Sequence, residues 1–200
     1  MTLHQLSLLE MPTVPNIPGL LYLPDYITAE EEARLVAEIE AAGWHNVGMR
    51  RLVRQFGYHY SFSRRSMAPG DFREALPAWA AAIAQRLHHE QLLPAVPNQL
   101  LANRYLPGEG ISSHVDAPEF NEIAALSLLS ACVMEFQHLK TGEKQKIWLD
   151  PRSLLVLTAA ARWDWQHAIP YRKRDRHAGR EQIREPRISL TFRVFSEGML

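Results

Sequence analysis

His114-Val115-Asp116 sets an imidazole and a carboxylate two positions apart, so on an extended segment both side chains leave the same face. That spacing suits one metal ion. A third ligand from a distant segment would complete the two-histidine, one-carboxylate face that leaves positions open on non-haem iron(II). His167 is the candidate. Within Trp163-Asp164-Trp165-Gln166-His167, a strand directs Trp163, Trp165 and His167 to one side and sets the imidazole beside large apolar rings. Each element also has an ordinary counterpart. In a chain with 9 histidines and 22 acids, a His-x-Asp pair occurs as a polar contact in a loop, and a histidine between tryptophans occurs as a hydrogen-bonded core residue.

Other residues could hold an anion beside these three. Asn103-Arg104-Tyr105-Leu106-Pro107-Gly108 stands just ahead of His114, and strand alternation turns Asn103 and Tyr105 to one side, where both can bind a carboxylate. Arg187-Ile-Ser-Leu-Thr-Phe-Arg193 alternates polar and apolar, so Arg187, Ser189, Thr191 and Arg193 share a face. Two guanidinium groups turned into a barrel interior need carboxylates, which a dicarboxylate cosubstrate or two internal salt bridges would supply. Upstream, Arg54-Gln-Phe-Gly-Tyr58-His-Tyr60 reads as a lid or strand bordering the site, flanked by Arg50, Arg51, Arg64 and Arg65. It could cover a nucleobase, or be a hairpin of packed tyrosines and solvated arginines. Tyr58, Tyr60 and Trp165 are the candidates for a substrate lid.

The elements that must position these residues are legible in outline. With 200 residues and 46% hydrophobic content, the chain suits one sizeable core, expected over residues 18–200 after an extended, proline-rich arm at 1–17. Thr28 with Glu31 has the form of a capping box, followed by Leu35, Val36 and Ile39 at helical spacing and a stop at Gly43. A second helix is expected from Pro77 through Trp79, Ile83 and Leu87 towards His89. From about residue 100 the pattern turns to strands at Leu126–Leu129, Cys132–Phe136, Leu154–Thr158 and Ile188–Phe195. The expected fold class is α+β, mainly β: a double-stranded β-helix, or jelly roll, braced by two helices on one face.

Composition narrows the function. Cys132 is the single cysteine, which excludes an internal disulfide and any site built from several thiolates. No long apolar run occurs and the first Arg or Lys is Arg34, so neither a signal peptide nor a membrane span is expected, and the cytoplasm is the expected compartment. The formal charge is zero, but Arg172, Lys173, Arg174, Arg176, Arg180 and Arg184 crowd one segment, either a solvated loop or a phosphate-contacting surface.

The order Asn103-x-Tyr105-x-Pro107-Gly108, His114-x-Asp116, distant His167, then Arg187 and Arg193, resembles the AlkB family of iron(II)- and 2-oxoglutarate-dependent dioxygenases over roughly residues 18 to 196. The resemblance implies that His114, Asp116 and His167 bind Fe(II). It implies that Tyr105 and Arg187 hold the far carboxylate of 2-oxoglutarate, with Asn103 and Arg193 near its metal-chelating end. Many members carry an asparagine two residues after the first arginine; here it is Ser189, which weakens one cosubstrate hydrogen bond without removing the site. The implied reaction consumes 2-oxoglutarate and O2, releases succinate and carbon dioxide, and hydroxylates a C–H bond; on an N-methyl group the product loses formaldehyde. The implied substrate is an alkylated or modified base in DNA or RNA, as in DNA repair, with oxidative demethylation the first expectation. Hydroxylation of a modified transfer-RNA base, a protein side chain or a small metabolite is the alternative. Phe56-Gly57-Tyr58 and the stretch from Ala161 to Pro170 look like the branch that hydroxylates wobble uridines in transfer RNA, although that branch usually carries an RNA-binding module and a methyltransferase domain for which this chain has no room.

Overall fold

The computed structural model describes residues 14–195, so residues 1–13 of the expected arm lie outside the described residues. The first half contains β1 (Leu20–Leu23), α1 (Ala29–Ala42), β2 (Leu52–Gly57) and α2 (Ala78–His89). Then follow β3 (Gln99–Tyr105), β4 (Ile111–His114), β5 (Ile123–Leu128), β6 (Cys132–His138), β7 (Lys144–Leu149) and β8 (Leu154–Leu157). A short α3 (Ala159–Trp163) leads into β9 (Trp165–Ile169), and β10 (Arg174–His177), β11 (Arg180–Ile183) and β12 (Arg187–Arg193) complete the chain. The major sheet has the order β1-β8-β5-β12-β3-β2 and the minor sheet β4-β9-β6-β7, with β10-β11 as a separate hairpin. Every pairing is antiparallel.

Alternation decides which side chains face which layer. On β12, Ile188, Leu190 and Phe192 join Leu35 and Ile39 of α1 and Ile83 and Leu87 of α2 in one core cluster. The opposite face of the major sheet contributes Tyr105, Ile123, Leu155 and Leu157 to a second cluster with Met134, Phe136, Ile147 and Ile169 of the minor sheet. Two sheets thus face each other over one core, and two helices cover the outer face of the larger sheet, as expected. The first helix starts and stops where local chemistry dictates. Thr28 Oγ1 accepts from the Glu31 N–H while the Glu31 carboxylate accepts from the Thr28 N–H, and Gly43 ends α1 at φ 76°.

Strand formation does not wait for residue 100. β1 and β2 lie at the two edges of the major sheet, β1 on β8 and β2 on β3. Trp163 is also not on a strand; it ends α3 and is 42% exposed, so the run of alternating aromatics begins only at Trp165.

The basic segment near the C-terminus is largely neutralised from within. Arg174 and Arg176 pair with Glu181 across the β10–β11 hairpin, Arg180 pairs with Asp150, and Arg172 bridges Glu135 and Asp175. The fully buried Asp175 accepts from Arg184 Nε at 2.5 Å, Arg172 Nε at 2.6 Å and the Val133 N–H at 3.1 Å. Burial pulls the Asp175 carboxyl upward, but Arg184, Val133 and Arg172 outweigh it and hold it below its ordinary value. Its contribution to stability is therefore present above the ordinary carboxylate range and is lost as pH falls through the depressed value. Asp175→Ala, which strands the buried Arg184, is expected to cost about 3–5 kcal/mol at neutral pH. Urea unfolding in steps from pH 7 to pH 3 checks this, with the gap between wild type and variant narrowing towards the acid end.

Among the described residues no helix is long and apolar enough to cross a membrane.

Candidate active site

β4 and β9 are partners in the minor sheet, and their register sets His114 opposite His167. The two imidazole centroids lie 4.5 Å apart. Asp116 follows β4 in the turn that leads to Phe120, and its Oδ2 is 3.5 Å from His167 Nε2. One ligand atom from each of His114, Asp116 and His167 lies within 4.8 Å of the others, a spread that a single ion can bridge. Residues 53 positions apart in sequence are thus brought to one point by a strand pairing.

Protonation states suit metal binding. His114 Nδ1 lies 2.8 Å from the Ser112 carbonyl, which can only accept, so Nδ1 carries a proton and Nε2 is the atom left to face a metal. Burial pushes the His167 pKa down to about 4 against the pull of Asp116, with His114, Arg193 and Arg162 adding to the fall; the ring is neutral at physiological pH. Burial acts on Asp116 in the opposite sense, but Arg193, His167, His114 and Arg162 together hold its carboxyl down at about 2. Arg193 Nη2 donates to Asp116 Oδ1 at 2.5 Å.

The arginine strand lines the floor beside this cluster. Asn103 and Tyr105 of β3 are register partners of Ser189 and Arg187 of β12. Asn103, Tyr105, Ser189, Thr191 and Arg193 line a narrow inner cavity together with His114, Asp116 and His167. Arg187 lies behind Tyr105, its guanidinium carbon 5.8 Å from the ring centroid. It is 3% exposed; its Nη2 donates to Ser127 Oγ at 2.8 Å, while Nε and Nη1 have no partner. A buried guanidinium with unpaired donors is costly unless a carboxylate meets it, so a dicarboxylate fits this end of the site. Two internal salt bridges, the other reading of the strand, are not what forms: Arg193 has one and Arg187 has none among the described residues.

A wider outer cavity of about 370 Å³ opens from His114 and Asp116 between Tyr60, Phe62 and Phe120. The lid candidates separate here. Tyr60 lines this cavity, whereas Tyr58 packs against Phe72 and Phe195 with centroids at 5.2 and 4.8 Å. Trp165 is buried in the inter-sheet core, edge-on to His138.

Two further arginines belong to the site, and sequence spacing assigns neither a role at the metal or the cosubstrate: Arg51 only flanks the lid segment, and Arg162 has no role there. Arg51, 8% exposed, donates Nε–H to Asn103 Oδ1 at 2.8 Å and borders both cavities. Arg162, 2% exposed, donates to the backbone carbonyls of Asp116, Ala117 and Phe120 at 3.1, 2.6 and 2.9 Å. Arg162 sits on α3, three residues ahead of Trp165 where the strand bearing His167 begins, and so ties the Asp116 turn to the segment that supplies the distal histidine. Arg162→Met is expected to lower metal affinity about 10- to 100-fold while Asp116 and both histidines remain. Titration of the metal-free variant with Mn(II), followed by electron paramagnetic resonance, measures this.

An inter-sheet core with a two-histidine, one-carboxylate cluster between an acid-accepting floor and an open mouth is the architecture of a non-haem iron oxygenase. The chain belongs to the 2OG-Fe(II) oxygenase superfamily, whose family model matches residues 19–193. Its relatives put it among the AlkB homologues of that superfamily. It is 33% identical to uncharacterized protein L905 of Acanthamoeba polyphaga mimivirus, over 92% of this chain and 88% of that protein. It is 32% identical to the mitochondrial alpha-ketoglutarate-dependent dioxygenase alkB homolog 7 of Bos taurus, over 88% of this chain and 78% of the relative. With the tRNA (carboxymethyluridine(34)-5-O)-methyltransferase ALKBH8 of Mus musculus it shares 35% identity over 84% of this chain, which spans only 26% of that longer protein. The structure of OsALKBH1 superposes with a TM-score of 0.67 at 15% identity, covering 92% of this chain and all of the other, a likeness of fold. The protein is thus an enzyme of the class that uses iron(II), 2-oxoglutarate and O2.

Proposed function

We propose that the protein oxidises a C–H bond on an alkylated or modified base of DNA or RNA, with His114, Asp116 and His167 holding iron. Tyr105 and Arg187 bind the far carboxylate of 2-oxoglutarate, and Asn103, Ser189 and Arg193 border its chelating end. The observation that carries this reading is the convergence of the three ligand residues at the junction of a narrow inner cavity bordered by Asn103, Tyr105, Ser189 and Arg193 and an aromatic-walled mouth. Bound there, iron(II) with 2-oxoglutarate and O2 supplies an oxidant that hydroxylates carbon, with succinate and carbon dioxide as coproducts.

The chain's own residues do the rest. Ser112 holds the His114 tautomer, burial keeps His167 neutral, and Arg193 keeps Asp116 ionised. Tyr60, Phe62 and Phe120 give apolar walls against which a planar ring stacks and from which water is excluded. The same reading takes residues 18–200 as one oxygenase domain after the arm and sets it at work in the cytoplasm. The name of the mouse relative, a transfer-RNA modification enzyme, supports a nucleic-acid substrate.

A protein side chain or small metabolite is the second reading, favoured by the internal pairing of the basic segment at 172–184, which removes a long phosphate-binding surface. Succinate and formaldehyde formed by anaerobically iron-loaded protein, given 2-oxoglutarate, air and a panel of methylated DNA and RNA oligonucleotides, test the proposal. Formaldehyde with succinate means demethylation. Succinate with a hydroxylated base and no formaldehyde means hydroxylation. Neither product, with iron bound and no oligonucleotide retained at low salt, selects the second reading.

A further inference from the structure

Two arginines at the mouth, Arg51 and Arg65, have no carboxylate partner among the described residues. Most arginines of the basic segment meet a carboxylate, and Arg64 is paired with Asp71. Arg65, next in the chain, lines the outer cavity and forms no ion pair among the described residues. Its backbone sits at φ 56°, a left-handed conformation unusual for an arginine, in a tight turn closed by the Ser61–Ser66 bridge. Arg51, nearly buried, donates to the neutral amide of Asn103 and meets no carboxylate among the described residues. Among the described residues lining the cavity the acid is Asp116, and Arg193 already engages it. Glu119 lies behind the wall, 4% exposed: one carboxylate oxygen accepts from the Met67 N–H, the other has no partner among the described residues, and its charge acts on Tyr60 rather than pairing with Arg51 or Arg65.

Arginines without a carboxylate partner continue past the metal cluster. A second groove that also borders His114 is lined by Arg50, Arg51, Ser112, Ser113 and Tyr171, with no carboxylate among its described lining residues. Arg51 stands where both spaces meet. Iron(II) and 2-oxoglutarate cancel in formal charge, so filling the metal site does not neutralise Arg51 or Arg65. A guanidinium left nearly buried without a counter-charge is costly, and an anion delivered with the substrate removes that cost.

Resting on the oxygenase reading above, we propose that the outer cavity selects a substrate carrying an anionic group beside the planar ring, met by Arg51 and Arg65, and disfavours a cationic one. A base made cationic by N-methylation then meets two arginines at the mouth and is repelled, whereas a neutral base with an acidic substituent or an adjacent phosphate is drawn in. This favours hydroxylation of a neutral or acid-bearing base over demethylation of a cationic one. The anion has two chemical sources, a carboxylate on the base or a backbone phosphate, and the probes separate them.

The test uses the full chain loaded with Fe(II) and 2-oxoglutarate without oxygen, and measures dissociation constants by equilibrium dialysis. The probes are uridine, uridine 5′-monophosphate, a uridine bearing a carboxylate on C5, and 1-methyladenosine as the cation. At least one anionic probe is expected to bind about tenfold tighter than uridine, and 1-methyladenosine more weakly than uridine. Preference for the phosphate identifies the backbone as the source, and preference for the carboxylate identifies the base. Arg65→Gln, at an exposed position where folding is not at stake, is expected to cut the preference at least threefold, and Arg51→Gln to cut it further. Equal binding of uridine and both anions, or tighter binding of 1-methyladenosine, overturns the inference while leaving the oxygenase reading intact. An Arg51→Gln protein that loses 2-oxoglutarate affinity but keeps the full anion preference overturns the role given to Arg51. If wild-type protein fails to bind 2-oxoglutarate in the presence of Fe(II), the oxygenase reading falls and this inference falls with it.

Discussion

Asp116→Ala is expected to bring succinate formation down to background and to strip the protein of iron. The carboxylate stands in three relations at once. It is one of the three residues whose ligand atoms converge, it lies 3.5 Å from His167, and it is the partner of Arg193. Alanine removes a negative ligand from the cluster and leaves a guanidinium of 9% side-chain exposure without its counter-charge. Breaking a buried pair on one side costs about 3–5 kcal/mol, so the metal-free variant should also unfold at lower urea than metal-free wild type. Metal content after dialysis, succinate yield and a urea curve measure the three consequences separately. Wild-type turnover with iron retained would sink the assignment of the metal site. Loss of stability with turnover preserved would mean that Asp116 serves Arg193 alone.

Arg187→Ala is expected to raise the 2-oxoglutarate concentration needed for half-maximal turnover by at least about 100-fold, since two charge-assisted bonds of roughly 1.5–3 kcal/mol each are at stake. Turnover at saturation should change far less, because Arg187 lies behind Tyr105, away from the ligand cluster. Ser127 holds one end of the guanidinium and leaves Nε and Nη1 without partners, which orients the fork before any carboxylate arrives. Arg187→Lys keeps the charge but not the fork, and should recover only part of the affinity. Anaerobic titration of the iron-loaded variants with 2-oxoglutarate reads this directly. An unchanged dissociation constant accompanied by a lower melting temperature would make Arg187 a structural residue.

Both expectations begin in residues whose spacing is informative on its own, and that spacing also accounts for much of the fold. Thr28 and Glu31 make the capping box and Gly43 ends the helix, because these interactions span only a few residues. The alternation along Arg187–Arg193 assigns polar side chains to one face, and β12 keeps that assignment with Ile188, Leu190 and Phe192 turned to the helices. Other features are not local. β1 is too short to stand out from its prolines, and β2 reads equally well as a lid; each becomes a strand because β8 and β3 offer it an edge. Trp163 has the spacing of a strand residue yet ends a helix, since alternation of aromatics does not distinguish a strand from the last turn before one.

The types of the ligands, the polar face of β12 and the limits of α1 were determined by the sequence itself, because each depends on neighbours within a turn or a pleat. Which charges meet was decided only by the tertiary structure. Asp116 and Arg193 are 77 positions apart, and Arg51 and Asn103 are 52 apart. Arg162 reaches back to the turn carrying Asp116. An ion pair or a clamp of that kind has no sequence period, since it depends on the distance between side chains brought together by sheet register. The same register leaves Arg65 and Arg51 without a carboxylate at the mouth while pairing most of the basic segment at 172–184, a distinction that a count of arginines along the chain does not contain.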